Sequence, residues 1–224
     1  MRTLDTTAEE GLNAAVTRNC VAWLVTGRMS PGFELSTRGL AQELGVSQTP
    51  VRDALSRLAA EGAVAIRSKR RVLVPPMTES RFDDLLRCRM LLEPEAAALA
   101  LPHIDDDRLT RLREIDAALD QAIANGDTEA YMARNHAFHF TIYSAQDGRT
   151  LTQLIETLWL QFGPFMRTVH GRIQVAHLND NHQAAIAAIA TARSARFAGA
   201  IAADIADGMG LIASSGVAAQ RRAR

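Results

Sequence analysis

The chain has 224 residues and a formal net charge of zero, with 47% apolar but only 5% aromatic residues. That length suits two small domains, and an apolar set dominated by Leu, Ala, Ile and Val suits helical cores. No apolar run approaches the ~20 residues of a membrane span, residues 1–10 lack an apolar signal core, and Cys20 and Cys88 have no metal or redox spacing, so we expect a cytoplasmic protein with two reduced cysteines.

In chain order, Glu9 to Thr26 reads as a helix with Leu12, Val16, Cys20, Trp23 and Leu24 on one face. Gly27 closes it, and Met29 to Gly32 is a turn. Thr37 to Leu58 then reads as two short helices joined at Gly45, where a positive φ is cheap only for glycine. Leu40, Ala41 and Leu44 face inward from the first. Val51, Ala54, Leu55 and Leu58 do so from the second, with Ser47 as N-cap and Pro50 in the first turn. This is the pattern of a helix-turn-helix whose second helix enters the major groove. Ser47, Gln48, Thr49, Pro50 and Arg52 lie at the reading end, and Arg38 on the first helix is placed for a phosphate.

Val64–Ile66 and Val72–Val74 read as two strands of a hairpin wing around a basic tip that includes Lys69, Arg70 and Arg71. From Arg28 to Arg71 there are eight bases (Arg28, Arg38, Arg52, Arg57, Arg67, Lys69, Arg70, Arg71) against four acids (Glu34, Glu43, Asp53, Glu61). A basic head on a compensating acidic body fits DNA contact at one end, and phosphate contacts from the wing would weaken as salt rises.

Pro75-Pro76 breaks the chain. We expect a winged helix-turn-helix over 1–76, an all-helical domain over 77–216, and a frayed tail over 217–224. The second domain reads as an antiparallel bundle of six or seven helices. Thr78 or Ser80 caps a helix running to about Leu101 with a kink at Pro94. Five more run from Asp105 to Asn125, Thr128 to Ala145, Thr150 to Val169, Ile173 to Ala192 and Ser194 to Ile212. The fold class is mainly α.

Asn135 and His139 are four apart and share a helix face. His182 lies eleven residues before Arg193 and Asp204 eleven after it, so an antiparallel hairpin turning there sets them level. Two imidazoles, a carboxylate and an amide would then converge. That set suits Zn, Ni, Mn or Fe, with positions left for water or an organic acid. His103, His136, His170 and His177 read as exposed or core histidines. Arg89 is either a fork for a ligand carboxylate or an ion-pair partner of Glu93. Tyr131 and Trp159 either line the same pocket or pack the core.

The run Pro31-Gly32, Leu40-Ala41, Leu44-Gly45-Val46-Ser47, Thr49-Pro50-Val51-Arg52, Ala54-Leu55, Leu58 and Glu61-Gly62 closely resembles the winged helix of GntR-type bacterial transcription regulators. Arg89, Leu92-Glu93, Phe138-His139 and Asn181-His182 resemble the FCD effector domain of the FadR-like branch. The resemblance implies a homodimer on a short palindromic operator. It implies repression of a metabolic operon and release by a small carboxylate or sugar acid held in the bundle, in many members on a divalent metal bound by one Asp and three His. The matching positions are Asn135, His139, His182 and Asp204, with Arg89 and Tyr131 toward the effector. Asn135 departs from the usual Asp and Asp204 from the usual last His, which weakens the expected metal site. Gln48 stands where the family often has Arg, and Arg70-Arg71 where it often has glycine.

Two other functions compete: a metal-dependent enzyme using the His/His/Asp set, and a constitutive DNA-binding dimer with a purely structural bundle. The sequence shows no nucleophile motif or phosphate loop for the first.

Overall fold

The computed structural model describes residues 11–68, 71–173 and 181–214. Lys69, Arg70, His177, the start of the expected first helix and the expected tail lie outside the described residues. The head contains α1 (Leu12–Val25), β1 (Glu34–Ser36), α2 (Thr37–Leu44), α3 (Gln48–Ala60), β2 (Ala65–Ser68) and β3 (Arg71–Leu73). A second group follows: α4 (Glu79–Ala100), α5 (Asp106–Ala124), α6 (Thr128–Tyr143), α7 (Arg149–Ile173), α8 (Asn181–Ala190) and α9 (Ser194–Ser214). A single 3-10 turn, Leu101–His103, follows α4.

The turn between α2 and α3 forms as the residues require. Gly45 has φ +69°, and its N–H and that of Val46 bond back to the end of α2. Ser36 caps α2 by accepting from the Gly39 N–H at 2.9 Å. Ser47 occupies the N-cap of α3 with extended backbone, but its hydroxyl makes no capping bond. Val51, Ala54, Leu55 and Leu58 are buried against α1, whose Val16, Cys20, Trp23 and Leu24 face them. Each of these larger aliphatic side chains stabilises the head by roughly 2 kcal/mol. Leu12 departs from the expected face: it is the first residue of α1 and is 50% exposed.

The wing also differs from a two-stranded hairpin. β1 joins it, giving an antiparallel sheet in the order β1-β3-β2, with Leu35 opposite Val72 and Ile66 opposite Val72 from the other side. The strands run over 65–68 and 71–73, so Arg67 and Arg71 are strand residues rather than tip residues. Arg71 pairs with Glu34 across the sheet. Being exposed, that pair stabilises by no more than about 1 kcal/mol.

In the second group the helices pack antiparallel, α4 chiefly against α9, α5 against α6 and α8 against α9. Thr78, Asp105 and Asp127 cap α4, α5 and α6 by accepting from the N–H three residues on. Pro94 does not end α4, which continues to Ala100. The expected fifth helix is described at Asn181–Ala190, and residues 174–180 of the expected span lie outside the described residues. One buried cluster is confined to the head apart from Leu160 of α7; the other runs from Met77 to Met209.

Candidate functional site

The outward residues of the helix-turn-helix form one face. Ser47, Thr49 and Arg52 are exposed at the start of α3, and Arg38 is exposed on the first turn of α2. Gln48 is half-buried, and its Oε1 accepts from Arg52 Nη2 at 3.2 Å, one turn on. The two long polar side chains therefore hold each other. Pro50 is corrected: it is buried, and shapes the first turn of α3 rather than facing outward.

Below the head, α6 lines up Asn135, His139 and Tyr143 at intervals of four, all buried. α8 brings His182 and α9 brings Asp204, as counting about Arg193 requires. His139 Nε2 is 3.0 Å from Asp204 Oδ2, and His182 Nε2 is 3.7 Å from Asp204 Oδ1. Ligand atoms of the three residues lie within 4.8 Å of one another. His139 is fully buried, and Asp204 keeps 26% of its side chain exposed, so the carboxylate is the part of the cluster in contact with solvent.

The partners of the far ring nitrogens set the tautomers. Tyr143 Oη donates to Glu93 Oε2 at 2.8 Å, so at 3.0 Å it accepts from His139 Nδ1–H. Asp116 Oδ1 lies 3.1 Å from His182 Nδ1 and accepts from its N–H. Both Nε2 atoms are then turned toward the Asp204 carboxylate. Acceptors gathered this way need a second proton on an imidazole or a shared cation. This is the acceptor–histidine pattern of metal sites, where the outer partner fixes ring and tautomer. Burial raises the Asp204 pKa, but the close contact with His139 and the nearby His182 and Arg89 outweigh it and hold the group at about 2.

Glu93 is the hub beneath the cluster. Fully buried, it accepts from both Arg89 Nε and Nη2, from Tyr143 Oη and from Trp159 Nε1 at 3.2 Å. Of the two readings of Arg89, the structure shows the ion pair with Glu93. The Arg89 guanidinium also lies 4.8 Å from the Trp159 ring centre and 4.4 Å from that of Phe162. Burial opposes its charge, but Glu93 outweighs this and keeps the pKa raised. Tyr131 is buried near Asp204, and burial followed by that negative charge raises its pKa. His136 stands apart, stacked on Phe140 at 4.2 Å, with burial lowering its pKa to about 4. Sequence reading named Glu93 only as a partner of Arg89 and missed its bonds to Tyr143 and Trp159 and the roles of Tyr143 and Asp116. The repeat of the Asn135–His139 spacing at Tyr143 was the one available signal.

Residues 12–74 match the family described as bacterial regulatory proteins, gntR family, and residues 84–207 match the FCD domain. The chain belongs to the GntR family, with an FCD domain. It is 34% identical over 158 residues to the HTH-type transcriptional regulator McbR of Escherichia coli, covering 70% of this chain and 72% of McbR. The solved structure of E. coli McbR/YncC superposes with a TM-score of 0.86 at 29% identity, over 92% of this chain and 98% of that one. The gluconate operon transcriptional repressor of Bacillus subtilis is 28% identical, covering 75% of this chain and 71% of the repressor. This GntR-family protein is a ligand-responsive DNA-binding transcription regulator and not an enzyme. Among the described residues, no helix is long and apolar enough to cross a membrane.

Proposed function

We propose that this regulator is a cytoplasmic repressor, binding a short palindromic operator as a homodimer and released by a small carboxylate or sugar acid seated at a divalent metal on His139, His182 and Asp204. The single observation behind the effector half is the set of one ring nitrogen from each of two imidazoles and one carboxylate oxygen within 4.8 Å, each imidazole backed by a buried acceptor. Zn, Ni, Mn and Fe all suit this donor set. Asn135, buried one turn before His139 on the same helix, completes the proposed set. A bound ion would act as a Lewis acid toward effector oxygens. The chain's own residues do the rest: Asp116 and Tyr143 orient the imidazoles, the Arg89 charge favours an anion, and Tyr131 closes the wall. The name of the B. subtilis relative, a gluconate operon repressor, makes a sugar acid the first effector to try.

The DNA half rests on Arg38, Ser47, Gln48, Thr49 and Arg52, with Arg67, Lys69, Arg70 and Arg71 of the wing tracking phosphates. The head spans 1–76 and the effector domain 77–216. Exposed Leu91 and Leu99 on α4 and Leu154 on the adjoining α7 suit the contact with a second copy. The direct test is an operator obtained by binding-site selection, titrated with gluconate and other small hydroxy acids in the presence of zinc. Release at effector concentrations that leave a His182→Ala variant bound supports the reading; operator affinity indifferent to every acid defeats it.

Base choice is a separate prediction. A glutamine amide pairs with adenine N6 and N7, a guanidinium with guanine O6 and N7. Gln48→Arg therefore moves the preference at one base pair of each half-site from A toward G, by about 1–3 kcal/mol. An unchanged selected sequence would remove Gln48 from base reading. The outer partner of His182 is testable too: Asp116→Asn weakens zinc affinity about 10–100-fold, read by competition with a chromogenic chelator. Equal affinity would reduce Asp116 to a packing role.

A further inference from the structure

A helix C-terminus leaves carbonyls that need partners from elsewhere. The recognition helix α3 ends at Ala60, and the next two carbonyls are met from outside the head. Glu61 O accepts from Gln161 Nε2 of α7 at 3.0 Å, and Gly62 O accepts from Arg81 Nη2 of α4 at 3.0 Å. The same Arg81 nitrogen donates to Gln161 Oε1 at 3.2 Å, closing a triangle between α3, α4 and α7. A guanidinium there also opposes the negative end of the α3 dipole.

Two residues further along α7, Gly163 passes the end of α1 at backbone contact. A Cβ there would sit 2.8 Å from Val25 Cα and 2.9 Å from Leu24 O. Just before Gln161, Leu160, 5% exposed, packs into the head's apolar cluster. The preceding residue, Trp159, belongs to the other side: its Nε1 donates to Glu93, and its ring centre is 5.3 Å from that of His139. One short stretch of α7, residues 159–163, thus touches both the His/His/Asp cluster and the recognition helix.

We propose that Gln161 and Arg81 are positioning residues for DNA reading: their clasp on the end of the recognition helix, seated by Gly163, fixes the pose of the head on the bundle, and α7 carries a bias from the His/His/Asp cluster into that pose. The clasp is a two-state element, made or broken, of the kind that coupling between distant sites requires. The second half of this statement rests on the effector reading given above; the first half stands without it.

The test uses the full chain with Cys88→Ser and spin labels at Gln42→Cys on the head and Glu114→Cys on α5, diluted with unlabelled protein. Cys20 is buried, and burial pushes its thiol up to about 12, so it stays unlabelled. Pulsed dipolar spectroscopy is run on the parent, on Gln161→Ala with Arg81→Ala, and on Gly163→Ala. Alanine favours a helix interior over glycine, so Gly163→Ala strains the seam while α7 itself is kept. The parent gives one narrow distance distribution and both variants broaden it, with Arg81→Lys keeping much of the narrowness. Affinity for an isolated half-site stays level, while affinity for the full selected operator falls about tenfold, within the usual range of coupling between sites. An unchanged narrow distribution in both folded variants overturns the clasp. Zinc supplies the second arm: it shifts the distribution of the parent and not of the variants, and an equal shift in all three overturns the coupling through α7. If calorimetry shows that the parent binds no zinc, the metal reading and the coupling drawn from it fail together, and the zinc-free distances still decide the clasp.

Discussion

Protein purified without chelator is expected to carry a near-stoichiometric divalent metal, and His139→Ala with His182→Ala is expected to remove it. Elemental analysis of the two preparations is the measurement. The loss should be nearly complete, because Asp204 would be the one strong ligand remaining of the three that converge. Two buried truncations also open space in the core, at a cost that depends on how far the site collapses. Asp204→Asn is therefore the second variant: its side chain is 26% exposed, and the amide keeps shape while giving up charge. Both variants should lose metal, and the asparagine form should still unfold cooperatively, with a melting temperature lowered by the loss of the carboxylate's partners and of the bound ion. A parent that holds no Zn, Ni, Mn or Fe even after reconstitution would sink the site. The short His139–Asp204 contact would then be a standing imidazolium–carboxylate pair, and an acidic effector would have to be held by neutral hydrogen bonds near Arg89.

The helix-turn-helix was legible because each device is local. A glycine at φ +69° and a period-3.6 apolar face lie within one short stretch, whereas the serine that caps with its hydroxyl is Ser36 and not the expected Ser47. The level placement of His182 and Asp204 was legible for a related reason. Two antiparallel helices rise equally per residue, so equal counts from the turn bring side chains together. What stayed hidden depends on separation in sequence. Nothing near Asp116 announces that it faces His182, 66 residues later. Gln161 meets the recognition helix 100 residues away. β1 has three residues and forms only because β3 offers it an edge. At Arg89 the residues allowed two partners. The structure shows the nearer one, since a buried guanidinium four residues from a buried carboxylate pairs with it before any ligand arrives.

That pair carries the largest expected effect on stability. Glu93→Leu strips a fully buried Arg89 of its counter-charge and takes the acceptor from Tyr143 Oη and Trp159 Nε1. Breaking one side of a buried ion pair typically costs about 3–5 kcal/mol, which for a chain of this size lowers the melting temperature by roughly 10 °C. The double change Glu93→Leu with Arg89→Met should recover much of the loss, because a buried pair replaced as a unit is often neutral. Calorimetry on the four proteins of this cycle gives the coupling directly. A Glu93→Leu protein that melts with the parent would show that the network is not an anchor. The cycle also separates stability from function. In the double variant the bundle is sound, but Tyr143 no longer has a carboxylate to donate to, so its hydroxyl proton can turn toward His139 Nδ1. The imidazole then takes the other tautomer, with its proton on Nε2 facing Asp204. Zinc affinity should therefore stay about 10–100-fold down after the melting temperature has recovered. If affinity returns together with stability, Glu93 is a packing residue. If it does not, Glu93 sets the protonation of the ring that faces the effector.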